Sequence, residues 1–451
     1  MQSIITLDVL AATSEDSFSL DELVYKTQEL FETEGMAGFA GLVLSLADEK
    51  LCAAIRDGES VSCMESCCQN PDYKYHDKPG RQIRTSIGLI KICWRRLKCT
   101  RCGKTVIPLR EFLQLDLYQS KSSELEKTVV EVVSEQSYRR SSKHLDGIGS
   151  IPVPKSTAHR WVAETDCDKI DKTEETLDLL LADGTGYKRR PDKEKDINNR
   201  GELRIAMGVD KKGWLKPLGA FSGKSWNDIA DCLKNNRDED KPLAEVMISD
   251  GEPGLVENLA DLCKQHQRSH WHLVRDLNHR MWEDKAPKSE RDSRQEELAA
   301  IIGIELPEED FDRVRDEDKD NITAEVEKAE NDLIHLISTL KKRGYEAAAS
   351  YVERASKSMF SYVYRWLRTG IITPRVSSLI ERMMREIARR LKRIAFGWSE
   401  KGAAKMTRII IKRFTSPKEW EKYWKEKLRI EENVLLTLRS IDAKPPQTLG
   451  R

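Results

Sequence analysis

The stretch Ile248-Ser249-Asp250-Gly251-Glu252-Pro253-Gly254-Leu255 decides the reading of this chain, with Gln267-Arg268-Ser269-His270-Trp271-His272-Leu273-Val274-Arg275 following it. The apolar run Ala244, Val246, Met247 and Ile248 reads as a buried strand that delivers one carboxylate at its C-terminal end. Gly251 and Gly254 then turn the chain into a helix. A partly buried carboxylate is costly unless it is paired or holds a metal. An earlier run repeats the pattern, with Leu177, Leu179, Leu180, Leu181 and Ala182 leading into Asp183-Gly184-Thr185-Gly186. Singly, each Asp-Gly is an ordinary turn after a strand. Together, with strands expected at 202–210 and 214–222 between them, they suit a ribonuclease H-like mixed sheet, in which the first and fourth strands are neighbours. Two such aspartates can hold divalent metal for phosphoryl transfer on nucleic acid.

A third carboxylate is required. Glu381 opens a basic helix, and Glu386 on the same helix is its rival. Either also suits a helix N-terminus for its dipole alone. His272 and Arg275, three residues apart, can support the site.

Composition bounds the rest. At 451 residues the chain exceeds one core, so three or four units are expected. With 34% charged residues, it reads as a helix-rich α+β multidomain protein. The 76 basic and 76 acidic residues balance, but unevenly along the chain. Glu381 to Phe414 holds 11 Lys/Arg against 3 Asp/Glu, and Glu305 to Asp332 holds 13 acidic against 4 basic residues. The basic block, with Arg389, Arg390, Lys392 and Arg393, is expected on nucleic acid. No transmembrane helix and no signal peptide are expected, which points to the cytoplasm and to no membrane partner. Cysteines there are reduced or metal-bound rather than disulfide-linked.

Six of the ten cysteines fall within 58–118. Cys99-Thr100-Arg101-Cys102-Gly103 has the spacing of a zinc knuckle, and its glycine permits the tight turn. The second pair is Cys63 with Cys67 or Cys68, with His76 as a substitute. The plain alternative is that these are small core residues. Residues 137–165 have the layout of a helix-turn-helix. Ser156 is the expected N-cap, and Thr157, His159 and Arg160 would face the major groove. An ordinary helical hairpin would use Trp161 and Val162 simply to pack.

The expected organisation is therefore an N-terminal helical region (1–57), a zinc-ribbon-like segment (58–118) and a helix-turn-helix (119–170). A ribonuclease H-like core follows (171–275), then an all-α insertion (276–370), then the rest of the core with the Glu helix and C-terminal helices (371–451).

At these residues the chain resembles DDE transposases of prokaryotic insertion sequences, in the zinc-ribbon-containing branch of the Mutator-like superfamily. The likeness runs from about residue 60 to 415. Ser249-Asp250-Gly251 with Gly254-Leu255 looks like that family's second-aspartate motif, and Ser225-Trp226 with Leu233 like its preceding helix. Gln267-Arg268, His272 and Arg275 match its Gln-Arg-Cys-x-x-His-x-x-Arg pattern, with Ser269 in place of Cys. Asp183 and Glu381 fall where its first Asp and its Glu are expected, although the Asn common before the Glu is replaced at Ser377-Ser378. The tract Gly397 to Met406 and residues 99–113 are similar to one branch. The resemblance implies DNA cleavage and strand transfer at terminal inverted repeats. It also implies Mg²⁺ or Mn²⁺ on Asp183, Asp250 and Glu381, with structural Zn²⁺ on Cys63, Cys67, Cys99 and Cys102. Its expected partners are double-stranded repeat and target DNA, bound by a homodimer or higher oligomer. The competing classes are a transposase-derived DNA-binding protein with a decayed core, and a DNA nuclease without strand transfer.

Overall fold

A computed structural model describes residues 20–21, 24, 31, 35–59, 61, 66–149, 153–167, 175–190, 200–235, 237, 241–394 and 397–430. The chain is α+β and divides into two compact units. One comprises Met1–Val133, Ser137–Trp161 and Glu421–Arg451; the other comprises Ser134–Gln136 and Val162–Trp420.

In the first unit, helix α1 (Met36–Arg56) packs on a β-hairpin of β2 (Gly80–Thr85) and β3 (Gly88–Cys93). Leu51, Ile83, Ile90, Ile92, Trp94 and Leu109 form the core between them. Alternating burial along β3 gives one buried and one wet face. Asp48 on α1 is fully buried, an arrangement tolerated because the Arg95 backbone N–H donates to it at 3.0 Å and the guanidinium at 3.1 Å. A second sheet orders as β1 (Tyr73–Asp77), β4 (Arg96–Cys99) and β5 (Thr105–Val106), with antiparallel pairing. Short helix α2 (Pro108–Phe112) follows, then α3 (Ser123–Glu135), α4 (Tyr138–Gly149) and α5 (Lys155–Glu164).

The second unit is built on a five-stranded mixed sheet ordered β10 (Cys263–Arg268), β9 (Ala244–Ser249), β6 (Leu177–Lys188), β7 (Arg200–Val209) and β8 (Leu215–Ser222). Strands β6, β7 and β8 run antiparallel, while β9 and β10 run parallel to β6. The central strands are apolar on both sides because helices cover the sheet. On one face, α6 (Trp226–Asn235) buries Trp226, Ile229, Ala230 and Leu233, an i, i+3, i+4, i+7 stripe. Beside it lies α7 (Pro253–Leu259), which starts with proline at its first position, where no N–H is needed. The helices α13 (Ser378–Ala388) and α14 (Glu400–Thr415) pack on β6, β7 and β8.

Between β10 and α13 lies a layer of helices without strands: α8 (His270–Glu283), α9 (Lys288–Ile301), α10 (Asp316–Lys342), α11 (Glu346–Ser356) and α12 (Ser361–Thr369). They share a core around Leu277, Leu298, Val326, Leu336, Val352 and Trp366. This layer is pinned to the sheet by buried polar groups. The Gln267 amide donates to Met359 O at 3.0 Å and accepts from Tyr362 N–H at 2.8 Å, and Arg365 donates to Asp178 at 2.5 Å. Helix α13 ends in a wider π-helical turn, Arg389–Arg393, and α15 (Pro417–Leu428) follows α14. No helix among the described residues is long and apolar enough to cross a membrane.

Candidate active site and candidate metal centre

Asp250 stands at the end of β9, as the sequence predicts. Asp183 differs: it lies inside the 12-residue β6, not at its end. The cause is the antiparallel partner, since β7 pairs β6 as far as Lys188, whereas β9 pairs it only from Leu177 to Leu181. Asp183 therefore sits just beyond the parallel edge. The register Leu181↔Ile248, continued two residues, sets Asp183 level with Asp250 on the neighbouring strand. The turn after Asp250 needs Gly251, whose φ is +76° and whose missing Cβ leaves room for the Arg268 guanidinium.

Glu381, expected as the third carboxylate, lies in the first turn of α13. Burial, then Asp250, Glu381 and Glu252, push the Asp183 carboxyl up to about 7, against the lowering effect of the Gly184 N–H that donates to it at 2.7 Å. Glu386 does not share this environment; it accepts from Arg389 at 3.1 Å. Glu381 accepts from Ser377 Oγ at 3.1 Å, and His272 Nε2 lies 3.4 Å from the same oxygen. His272 is buried, and burial together with Arg275 holds it below the usual histidine range. Its Nδ1 is buried with no hydrogen-bond partner among the described residues. Arg275 donates to Asp276 at 2.6 Å and lies 4.7 Å over the Trp271 ring.

The sequence reading assigned no role in the site to Glu252, Trp226, Ser377 or Trp271. Glu252 is held by the Trp226 indole N–H at 3.0 Å. Its only sequence signal was its place in the quoted stretch, because the contact spans elements that no local pattern joins. The ligand atoms of Asp183, Asp250 and Glu381 do not all lie within 4.8 Å of one another, as the four-cysteine cluster's do.

That cluster is Cys67, Cys68, Cys99 and Cys102, and it can hold a metal ion such as zinc. Four thiolates about 2.3 Å from one tetrahedral ion stand about 3.8 Å apart. Here Cys68 and Cys99 are 3.8 Å apart, Cys67 and Cys68 4.0 Å, and Cys67 and Cys102 3.4 Å. Backbone N–H groups, first that of Cys102, hold the Cys99 thiol down to about 6. Burial and the neighbouring thiols push Cys68 up to about 12. Gly103, at φ +76°, closes the knuckle through its N–H to Cys99 O at 3.0 Å. The Tyr73 hydroxyl donates to Cys67 Sγ at 3.1 Å. Both members of the Cys67/Cys68 alternative thus join the cluster, and His76 is not part of it. Cys63 lies outside the described residues.

Ser142 Oγ on α4 donates to Val153 O, two residues before α5, at 2.7 Å, and the Tyr138 and His159 rings lie 5.4 Å apart. Ala158, Trp161 and Val162 are buried, Thr157 is half-buried, and His159 and Arg160 are exposed. The expected N-cap is corrected. The helix begins at Lys155, one residue before Ser156, and the Pro154 carbonyl accepts its first bond, from Ala158 N–H. Arg390, read in the sequence as DNA-facing, is also corrected. It is 2% exposed and stacks 4.7 Å over Trp398. Arg389 is engaged by Glu135 and Glu386. Lys392 and Arg393 remain exposed and carry no ion pair among the described residues.

No protein-family model matches the chain, and no curated protein matches it.

Proposed function

We propose that this protein is a DDE-type DNA transposase of the Mutator-like, zinc-ribbon-containing kind, which cuts DNA at terminal inverted repeats and transfers the strand. The observation that carries the reading is the nearness of Asp250, just past the end of β9, and of Glu381 to the buried Asp183 carboxyl on the adjacent parallel β6. Three antiparallel strands, extended beyond the first of them by two strands parallel to it, support a ribonuclease H-like core. The helical layer between Asp250 and Glu381 corresponds to the insertion such a reading requires.

The donor set suits Mg²⁺ or Mn²⁺. Asp183, Asp250 and Glu381 offer hard carboxylate oxygens, and burial first, then Asp250 and Glu381, push the Asp183 carboxyl up. Asp183, Asp250 and Glu381 would hold the metal, which supplies water activation and stabilisation of the leaving 3′-oxygen. The chain's own residues do the rest. His272 and Ser377 both lie against one Glu381 oxygen and orient it, and Glu252 is anchored by Trp226 beside Asp183. The cysteine cluster, with Zn²⁺, and the α4–α5 hairpin would form the zinc ribbon and helix-turn-helix that hold duplex DNA.

A second reading, a DNA-binding protein with a decayed core, is favoured by the failure of the three carboxylates to gather within 4.8 Å. One experiment separates the two. A supercoiled plasmid carrying the paired terminal repeats that flank the coding region is incubated with the full chain and Mg²⁺. Cleavage and strand transfer are expected, with Asp183→Asn losing at least about a thousandfold in rate while still binding the repeats. Repeat binding with no cutting by the wild type selects the second reading, and cutting that survives Asp183→Asn removes Asp183 from the site.

A further inference from the structure

Beside Glu381 lies a feature that the carboxylate chemistry does not use. Trp271, in the first turn of α8, is 51% exposed although it flanks a buried site. Its neighbour His272 meets the indole edge-on, with ring centroids 4.9 Å apart and planes at 85°, and the same imidazole lies 3.4 Å from Glu381. The Arg275 guanidinium lies 4.7 Å from the indole centroid and is tethered by Asp276 at 2.6 Å. An indole backed on one face by a tethered guanidinium thus forms a shelf, one imidazole away from Glu381.

Resting on the reading of this chain as a DNA-cutting enzyme, we infer that Trp271 and Arg275 form a stacking shelf for an unpaired nucleobase of the DNA strand at the break. The chemistry selects this occupant. Phosphate is disfavoured, because Arg275 is already paired with Asp276 and feels Asp250, and Glu381 lies against the neighbouring His272. A neutral planar ring suffers no such repulsion and gains stacking on the indole face that Arg275 does not cover. The base has to be unpaired, since inside a duplex both of its faces are already covered. Trp271 would thereby hold the strand end in position while Glu381 and the aspartates act on its phosphodiester.

The test uses the full chain carrying Asp183→Asn, so that DNA stays intact, and a duplex with a short single-stranded tail containing 2-aminopurine, whose fluorescence falls on stacking. Quenching is expected with Trp271 and with Trp271→Phe, and is lost in Trp271→Ala. The affinity of Trp271→Ala for the tailed duplex should fall about tenfold, the order of one base–aromatic stack, while its affinity for blunt duplex is unchanged. Half exposure of the ring means truncation leaves the core packed, and the Phe variant separates lost stacking from lost fold. Equal quenching with and without Trp271, or tailed-duplex binding with no quenching at all, overturns the inference while leaving the DNA-cutting reading standing. If the wild-type chain binds neither blunt nor tailed duplex, that reading falls and takes the shelf with it.

Discussion

At the scale of single residues, Asp183 carries the clearest consequence. Its pKa is raised to about 7, foremost by burial and then by Asp250. A carboxyl whose folded-state pKa is raised binds its proton more tightly in the folded chain. Its contribution to stability is therefore full below about pH 4 and lost as the pH climbs from there to about 7. In the presence of a chelator, Asp183→Asn should raise stability at pH 8 by on the order of 2–4 kcal/mol and change little at pH 4. Thermal melts at the two pH values check this, and an equal shift at both would show that charge is not the cause. Mg²⁺ at pH 8 should stabilise the wild type and not the variant. The residue types at Asp183 and Asp250 were legible in sequence because each follows an apolar run. The position of Asp183 within its strand was not, because strand length is set by the partner β7, more than ten residues away in the chain.

Among the elements, the pairing of β1 with β4 gathers the thiols. Tyr73↔Cys99 is a register pair, which brings the Tyr73 ring beside the knuckle and its hydroxyl onto Cys67 Sγ. A hydroxyl that donates to a ligating sulfur orients it and lowers its charge density, and the loss of such supports typically costs ten- to a hundredfold in metal affinity. The purified full chain should carry one zinc, and Tyr73→Phe should weaken zinc binding about tenfold in chelator competition. Unchanged affinity would reduce Tyr73 to a packing residue, and metal-free protein from a chelator-free preparation would return the four cysteines to core packing. The Cys99–Cys102 spacing was readable because ligand pairs on one tight turn are local. Assignment of Cys67 or Cys68 was not readable, because both thiols reach the cluster only after β1 folds back on β4. The same division holds for the helices. The apolar stripes of α6 and α8 follow helical spacing, whereas the hold of Trp226 on Glu252 joins two elements across the sheet end.

For the whole molecule, a net charge of zero conceals acidic and basic blocks, and burial decides which charges reach a partner. A run such as Arg389, Arg390, Lys392 and Arg393 reads in sequence as one solvated basic face. Folding splits it: Arg390 is inside over Trp398, Arg389 is occupied by two glutamates, and Lys392 and Arg393 face water. Neutralising one DNA phosphate releases condensed counterions and adds about 0.9 to the slope of log affinity against log salt. Replacing Lys392 and Arg393 together with Gln should therefore flatten that slope by up to about 2. Arg389→Gln should leave the slope nearly unchanged, because its charge is already met by Glu135 and Glu386. Arg390→Gln should instead lower the melting temperature, because it strips a buried cation from the Trp398 ring. Titrations of duplex binding across a salt series measure all three. A slope that falls as much for Arg389→Gln as for the Lys392/Arg393 pair would mean that the ion pairs open on DNA and that the whole block acts as one face. A slope that moves for none of them would take this turn off the DNA altogether.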